Sequence, residues 1–176
     1  MPELPAPLQA LLTDPRRHLA GTDLRVDLAL GRNLLNEALA ARPAGTPVEE
    51  LYVDPEGDNL FNLHLAVRAP VVGNVRRKIT FQPGPAVSFP DQPWLTLRIT
   101  DGFRLLDKPV IKLMRGQLAE RLPAGVELTS DYLRLHVPAL LTAGGYQSLV
   151  PLIRQLALVS IDDVLTLRLW LDATGE

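Results

Sequence analysis

The strongest constraint on the fold is an alternation of apolar and polar residues that recurs along the chain. Because successive side chains of a strand point to opposite faces of a sheet, a period of two predicts strands with one buried and one exposed face. Such strands are typical of antiparallel sheets, since parallel sheets are usually buried on both faces. The alternation covers Thr22–Leu30, Phe61–Arg68, Val75–Phe81, Leu95–Thr100, Leu133–Val137 and Leu165–Leu171.

Apolar residues at helical spacing are found in fewer segments. They predict a helix over Asn33–Arg42, which Pro43 would end. They also predict a helix over Gly145–Arg154, in which Pro151 is tolerated if Ser148 caps the N-terminus and places the proline in the first turn.

A third segment, Pro109–Leu122, also carries apolar residues at helical spacing. Gly116 weakens a helix there, because glycine costs about 1 kcal/mol relative to alanine in a helix interior. A strand over Val110–Leu113 fits the same residues, and the sequence leaves both interpretations open.

The order strand, helix, hairpin occurs in residues 23–69 and again in residues 131–172. DLRVDL at 23–28 resembles YLRLHV at 132–137, which indicates a pseudo-repeat, although this order also arises by chance. No long linker or low-complexity segment separates the two parts. The sequence therefore predicts a single α+β domain over residues 1–176 with an antiparallel sheet.

Composition excludes several classes of protein and site. No apolar run reaches the roughly 20 residues that span a bilayer as a helix. The absence of cysteine excludes disulfides, thiolate zinc sites and cysteine nucleophiles. With 18 basic and 20 acidic residues the net charge is −2, which argues against a nucleic-acid-binding surface.

Motifs for catalysis are equally scarce. His18, His64 and His136 are isolated, and the acidic residues at 54–58 lack the spacing of a calcium-binding loop. The sequence contains no glycine-rich phosphate loop and no nucleophile elbow. We therefore expect a protein that is not an enzyme and that holds neither a metal nor a cofactor.

Four features together resemble the tubular lipid-binding (TULIP) superfamily, particularly its small bacterial members. They are LLNEAL at 34–39, the hairpin at 50–69, LPAGVELTSDYLRLHV at 122–137 and a final hairpin after a helix. The resemblance covers roughly residues 22–172, after an N-terminal extension at 1–21, and rests on element order. It implies two or three helices on the concave face of a strongly curved antiparallel sheet, with an apolar groove between them. Many bacterial relatives are exported or lipidated, but a start with Glu3 and no basic cluster predicts a cytoplasmic protein.

The resemblance implies that a lipid or acyl chain binds in this groove. Aliphatic walls suit acyl chains, because each buried CH₂ contributes about 0.8 kcal/mol without directional contacts. The candidate groove residues are Leu34, Leu35, Leu39, Phe61, Leu63, Leu97, Leu135, Leu149, Val150, Ile153 and Leu167. The alternative is that the same residues form an ordinary filled core, and the protein is then an interaction or scaffold module.

Two surface features accompany these hypotheses. Arg76, Arg77 and Lys78 form a basic cluster that suits an anionic headgroup, or that discourages pairing at a strand edge. Trp94 and Trp170 lie on the outward phase of their strands, where they are candidate anchors for a protein partner unless another segment covers them. Open sheet edges also make a homodimer a candidate assembly.

Overall fold

The computed structural model describes residues 5–40, 48–69, 73–102 and 124–174. The helices are α1 (Ala6–Thr13), α2 (Pro15–His18), α3 (Arg32–Ala40), α4 (Val137–Ala143) and the 3₁₀ helix η1 (Gln147–Leu152). The strands are β1 (Asp23–Gly31), β2 (Val48–Glu56), β3 (Leu60–Ala69), β4 (Gly73–Pro83), β5 (Val87–Ser88), β6 (Trp94–Asp101), β7 (Val126–Leu128), β8 (Tyr132–His136), β9 (Ile153–Ile161) and β10 (Val164–Asp172). The six alternating segments all form strands, as their period predicts.

The described strands form two antiparallel sheets. The small sheet has the order β1-β10-β9-β5, and the large sheet has the order β2-β3-β4-β6-β8-β7. The α+β class and the antiparallel pairing are thus confirmed. The single curved sheet that the resemblance implies is divided here, because β1 pairs with β10 and the chain enters the other sheet at β2.

The apolar faces of the two sheets pack against each other. Phe61, Phe81 and Leu97 of the large sheet form one buried cluster with Leu165 of the small sheet. A second cluster joins Leu95 of the large sheet to the small sheet, and its buried members are Val87, Leu95 and Leu156. The alternating pattern therefore supplies the core from both sides, as in other two-layer folds.

The two parts of the predicted pseudo-repeat are exchanged between the sheets. Strand β1 of the first part lies beside the hairpin β9–β10 of the second part. Strand β8 of the second part lies in the large sheet with the hairpin β2–β3 of the first part. Because β4 and β6 separate β3 from β8, the exchange is only partly symmetric.

The helical prediction is confirmed for α3 as far as Ala40, whereas the α-helix predicted over Gly145–Arg154 is wrong. That segment is η1 followed by β9, which begins at Ile153, and an additional helix, α4, precedes it. Pro151 has no N–H to donate in a longer helix. Ser148 is not a cap, since its Oγ donates to the carbonyl of Leu12 at 2.5 Å. The segment Pro109–Leu122 lies outside the described residues.

Asn36 attaches α3 to β2 at an edge of the large sheet. Its Nδ2 donates to the carbonyl of Val53 at 2.9 Å, and its Oδ1 accepts from the amide of Val53 at 2.7 Å. The side-chain amide thereby satisfies both backbone groups of an edge residue, as a neighbouring strand would.

Replacing Asn36 by alanine is expected to lower the free energy of unfolding by about 1–3 kcal/mol, because both groups of the buried Val53 lose their partner. Urea denaturation followed by circular dichroism measures the change. Asn33→Ala, an exposed asparagine of the same helix, is the matched control and should change stability by less than about 0.5 kcal/mol. Equal effects of the two variants would contradict the role of Asn36.

Candidate functional site

A cleft of about 550 Å³ opens between α4, η1 and the start of β9. Its walls are largely apolar. The lining residues are Phe89, Pro90, Pro138, Thr142, Gln147, Val150, Pro151, Ile153 and Arg154. We call this feature the cleft.

The floor of the cleft rests on the core. The short strand β5 pairs with β9, and Phe89 prolongs the pairing by donating its amide to the carbonyl of Arg154 at 3.0 Å. This places Phe89 against the buried cluster of Leu152, Ile153 and Leu171. The apolar surface at the base of the cleft is therefore anchored by a side chain that packs on the core.

The walls are built from short helical turns, and the first of them, α4, is capped. Strand β8 passes directly into α4 because His136 is the N-cap, and its Nδ1 accepts from the amide of Ala139 at 3.2 Å. Pro138 fits the first turn, where a proline removes no intrahelical hydrogen bond. Gly145, with φ 82°, then reverses the chain so that η1 faces α4.

An ion pair lies at the rim of the cleft. The Nε of Arg154 donates to Oδ2 of Asp172 at 3.1 Å. Oδ1 of Asp172 accepts from the hydroxyl of Thr174 at 2.5 Å and from its amide at 2.8 Å. The hydrogen bonds from Thr174, more than Arg154, hold the pKa of Asp172 below its usual value near 3.8.

Replacing Thr174 by valine is expected to raise the pKa of Asp172, because the hydroxyl is the main group that stabilises the carboxylate. The lowered pKa adds stability above the ordinary pKa, and this contribution is lost as the pH falls through the folded-state value. An NMR titration of the Asp172 carboxyl measures the shift, and Thr174→Ser, which keeps the hydroxyl, is the control. An unchanged pKa in the valine variant would contradict this assignment.

The structure does not bring the predicted groove residues together in one place. Val150 and Ile153 line the cleft. Leu34 is exposed, and Leu149 is half-buried in η1. The remaining residues pack in the clusters between the sheets, and they are Leu35, Leu39, Phe61, Leu63, Leu97, Leu135 and Leu167.

Sequence reasoning missed most of the cleft. The residues it did not select are Phe89, Pro90, Pro138, Thr142, Gln147, Pro151 and Arg154. Six of the seven are proline or polar residues, which a pattern of apolar residues does not select, and Phe89 lies outside the alternating segments. The three prolines are the one available signal, since each lies close to a boundary between regular elements.

The basic cluster lies on β4, and all three of its side chains are exposed. Arg76 pairs with Glu50 at 3.1 Å, and Lys78 pairs with Glu56 at 3.5 Å. Both acids belong to β2, on the other side of β3, so these cations balance charges within the large sheet.

The two tryptophans contact side chains of the same chain. Trp94 lies edge-on to His136 with ring centroids 4.8 Å apart. The Nε1 of Trp170 donates to Asp23 at 2.8 Å, and Arg25 lies over its ring at 4.7 Å. Both indoles are half-buried. The outward phase is thus correct for these residues, but their rings are partly covered by neighbours on adjacent strands.

The described residues contain neither a metal-ligating cluster nor a membrane-spanning helix. No group of three or more histidine, cysteine or acidic residues there could hold a metal ion. No described helix has both the length and the apolar content to cross a membrane. Comparison of the chain with protein-family models, with curated proteins and with solved structures found no match.

Proposed function

We propose that this protein is a non-catalytic binding protein and that the cleft holds an apolar ligand such as an acyl chain. The observation that carries the proposal is a cleft of about 550 Å³ whose floor and walls include Phe89, Val150 and Ile153. Small-molecule sites typically have volumes of roughly 300–1,000 Å³ and mostly apolar walls. Phe89 and Val150 are half-buried, so they leave apolar surface that a ligand can remove from water.

The lining favours an unbranched apolar ligand with one anionic end. Proline and aliphatic side chains bind hydrocarbon without fixing its direction. The proline rings also lose little conformational entropy on binding, because they are already rigid. Arg154 stands at the rim with its side chain 42% exposed, and only its Nε faces Asp172 at hydrogen-bonding distance. The rest of the guanidinium group is suited to a carboxylate or phosphate oxygen.

The chemistry of the lining supports binding rather than catalysis. None of the lining residues is a histidine, a cysteine, a serine or a carboxylate. The hydroxyl of Thr142 donates to the carbonyl of Pro138 at 2.8 Å, so no base activates it as a nucleophile. Asp172 beside Arg154 has a lowered pKa and is a weak proton acceptor near neutral pH.

A relationship to the TULIP superfamily and a cytoplasmic location stay predictions. The relationship is compatible with the cleft in one respect, since two helical segments and the start of a strand line it. The rival hypothesis is an interaction module without a ligand. Titration with a fatty acid distinguishes it from the ligand-binding protein.

Titration of the ¹⁵N-labelled protein with dodecanoate, kept below its micelle concentration, tests the proposal. We expect saturable shifts of the amide signals of Val150, Ile153 and Arg154. Val150→Asp should weaken binding by at least about tenfold, because it places a charge in an apolar wall. Ile161→Asp is the matched control, since Ile161 is 56% exposed at the far end of β9, and binding should be unchanged.

Absence of saturable shifts at the cleft would contradict the proposal. Equal binding by the Val150→Asp and Ile161→Asp variants would contradict it as well, because dodecanoate would then bind elsewhere. A circular dichroism melting curve of each variant shows whether the fold is retained.

A further inference from the structure

Strand β1 is an edge strand in the part of the chain that the structure describes. It pairs with β10 on one side, and no described strand pairs with its other side. The carbonyl of Thr22 accepts from the amide of Ala173, and the amide of Arg32 donates to Asp163. Since backbone direction alternates along a strand, the even-numbered residues face β10 and the odd-numbered residues direct N–H and C=O groups outward.

The same strand exposes apolar side chains. Leu24 is 38% exposed and Leu28 is 48% exposed. Their register opposite Leu171 and Leu167 puts both leucines on the apolar face of the small sheet. A nine-residue edge with exposed leucines is a template for pairing with another strand.

We propose that β1 pairs antiparallel with β1 of a second copy of this chain, about a twofold axis at Val26. In an antiparallel pair, side chains directly opposite each other lie on the same face of the sheet. Neighbours along one strand point to different faces, so the twofold axis must place one residue opposite its own copy. An axis at Arg25 opposes Arg25 to its own copy, and an axis at Asp27 opposes Asp27 to its own copy. Like charges directly opposite destabilise a sheet, which disfavours both registers.

An axis at Val26 is complementary in charge and in shape. It places Arg25 opposite the partner's Asp27, and by symmetry it forms this pair twice. It also places Leu24 opposite the partner's Leu28, so the two exposed leucines of each copy cover each other. Arg25 and Asp27 are odd-numbered residues, whose outward backbone groups become the hydrogen-bonded pairs of the new ladder.

Contacts within the chain already hold these charges on one face. Asp27 lies 3.5 Å from Arg168, and Arg25 lies over Trp170 at 4.7 Å. Pairing in this register joins two four-stranded sheets into one continuous sheet, and the charges of both copies alternate across the junction. The partner is thus a second copy of this chain.

Charge-reversal variants and sedimentation equilibrium test the register. Arg25→Asp and Asp27→Arg should each weaken the dimer by roughly tenfold or more, since each creates two like-charge pairs. The double variant Arg25→Asp/Asp27→Arg exchanges the charges and should restore dimerisation. A wild-type chain that stays monomeric, or a double variant no better than the single ones, would overturn the proposal.

A cysteine placed on the axis gives a test that does not depend on charge. The chain has no cysteine, so a single one can react only with its symmetry mate. Opposed residues of a non-hydrogen-bonded pair have Cα atoms about 4.5 Å apart, which a disulfide can bridge.

Val26→Cys should therefore form a covalent dimer on mild oxidation. Leu28→Cys should not, because its mate lies four residues along the strand, about 13 Å away. Equal cross-linking of the two variants would overturn the register, and a melting curve shows that each variant is folded.

Discussion

Replacing Phe81 by alanine is expected to lower the free energy of unfolding by about 3–5 kcal/mol. Phe81 is 2% exposed, and its ring stacks on Phe61 with centroids 5.3 Å apart. It belongs to the buried cluster in which the large sheet meets Leu165 of the small sheet. Truncation removes apolar contacts and leaves a cavity that neighbours from two sheets cannot close. Urea denaturation followed by tryptophan fluorescence measures the loss.

Tyr52→Ala is the control for this prediction. Tyr52 is an aromatic residue that is 41% exposed on β2 and stacks only on His64, with centroids 4.2 Å apart. Its removal should cost about 1 kcal/mol or less. If Phe81→Ala lowered the free energy of unfolding no more than Tyr52→Ala, this would contradict the packing of the two sheets through this cluster.

Replacing Asn59 by alanine is expected to lower the free energy of unfolding by about 2–4 kcal/mol. Asn59 has φ 57°, a left-handed conformation that asparagine tolerates better than alanine. Its Oδ1 accepts from the amide of Ser160 at 2.9 Å, and its Nδ2 donates to the carbonyl of Pro83 at 3.3 Å. Alanine would leave the amide of Ser160, a residue 2% exposed in the other sheet, without this partner.

Asp58→Ala separates the conformational part of this effect from the hydrogen bonds. Asp58 has φ 56°, nearly the same as Asn59, but its side chain is in an exposed position of the turn. Its replacement should cost only the backbone strain of about 1 kcal/mol. The hydrogen bonds account for the difference between the two variants, and equal losses in denaturation experiments would show that Asn59 does not link the sheets.

The structure changes where a ligand is expected. The resemblance implies that inward-facing leucines line a groove, but residues such as Leu63 and Leu97 pack around Phe61 and Phe81 between the sheets. The cleft lies instead at the edge of the core, where η1 turns into β9. Val150 and Ile153 belong to both the predicted groove and the observed cleft, because they lie at that transition.

Local patterns predicted the regular elements well and the irregular ones poorly. The alternation from Leu165 to Leu171 correctly predicts that these two leucines of β10 are buried, although Thr166 on the opposite face is buried as well. The helix α4 was missed because it depends on His136 as a cap and on Pro138 in the first turn, directly after a strand. The alternation of Leu133–Val137 continues past this transition and predicts a strand as far as Val137, the first residue of α4.

The polar links between elements were missed for a similar reason. Asn36, Asn59 and Ser160 look like ordinary helix, turn and strand residues in the sequence. Val53, the partner of Asn36, is 17 residues away along the chain. Asn59 and Ser160 are 101 residues apart. A hydrogen bond at such separations leaves no periodic signal, because it depends on how the two sheets are placed.

The sequence by itself determined the class of fold and six of the described strands, because these follow from the period of apolar residues within a segment. It also excluded disulfides and thiolate metal sites, since the chain contains no cysteine. Only the tertiary structure decided that the strands divide into two sheets, that β1 lies at an edge and that the cleft forms beside η1. These features depend on contacts between distant segments, whose energies are set by packing and by pairing register rather than by local spacing.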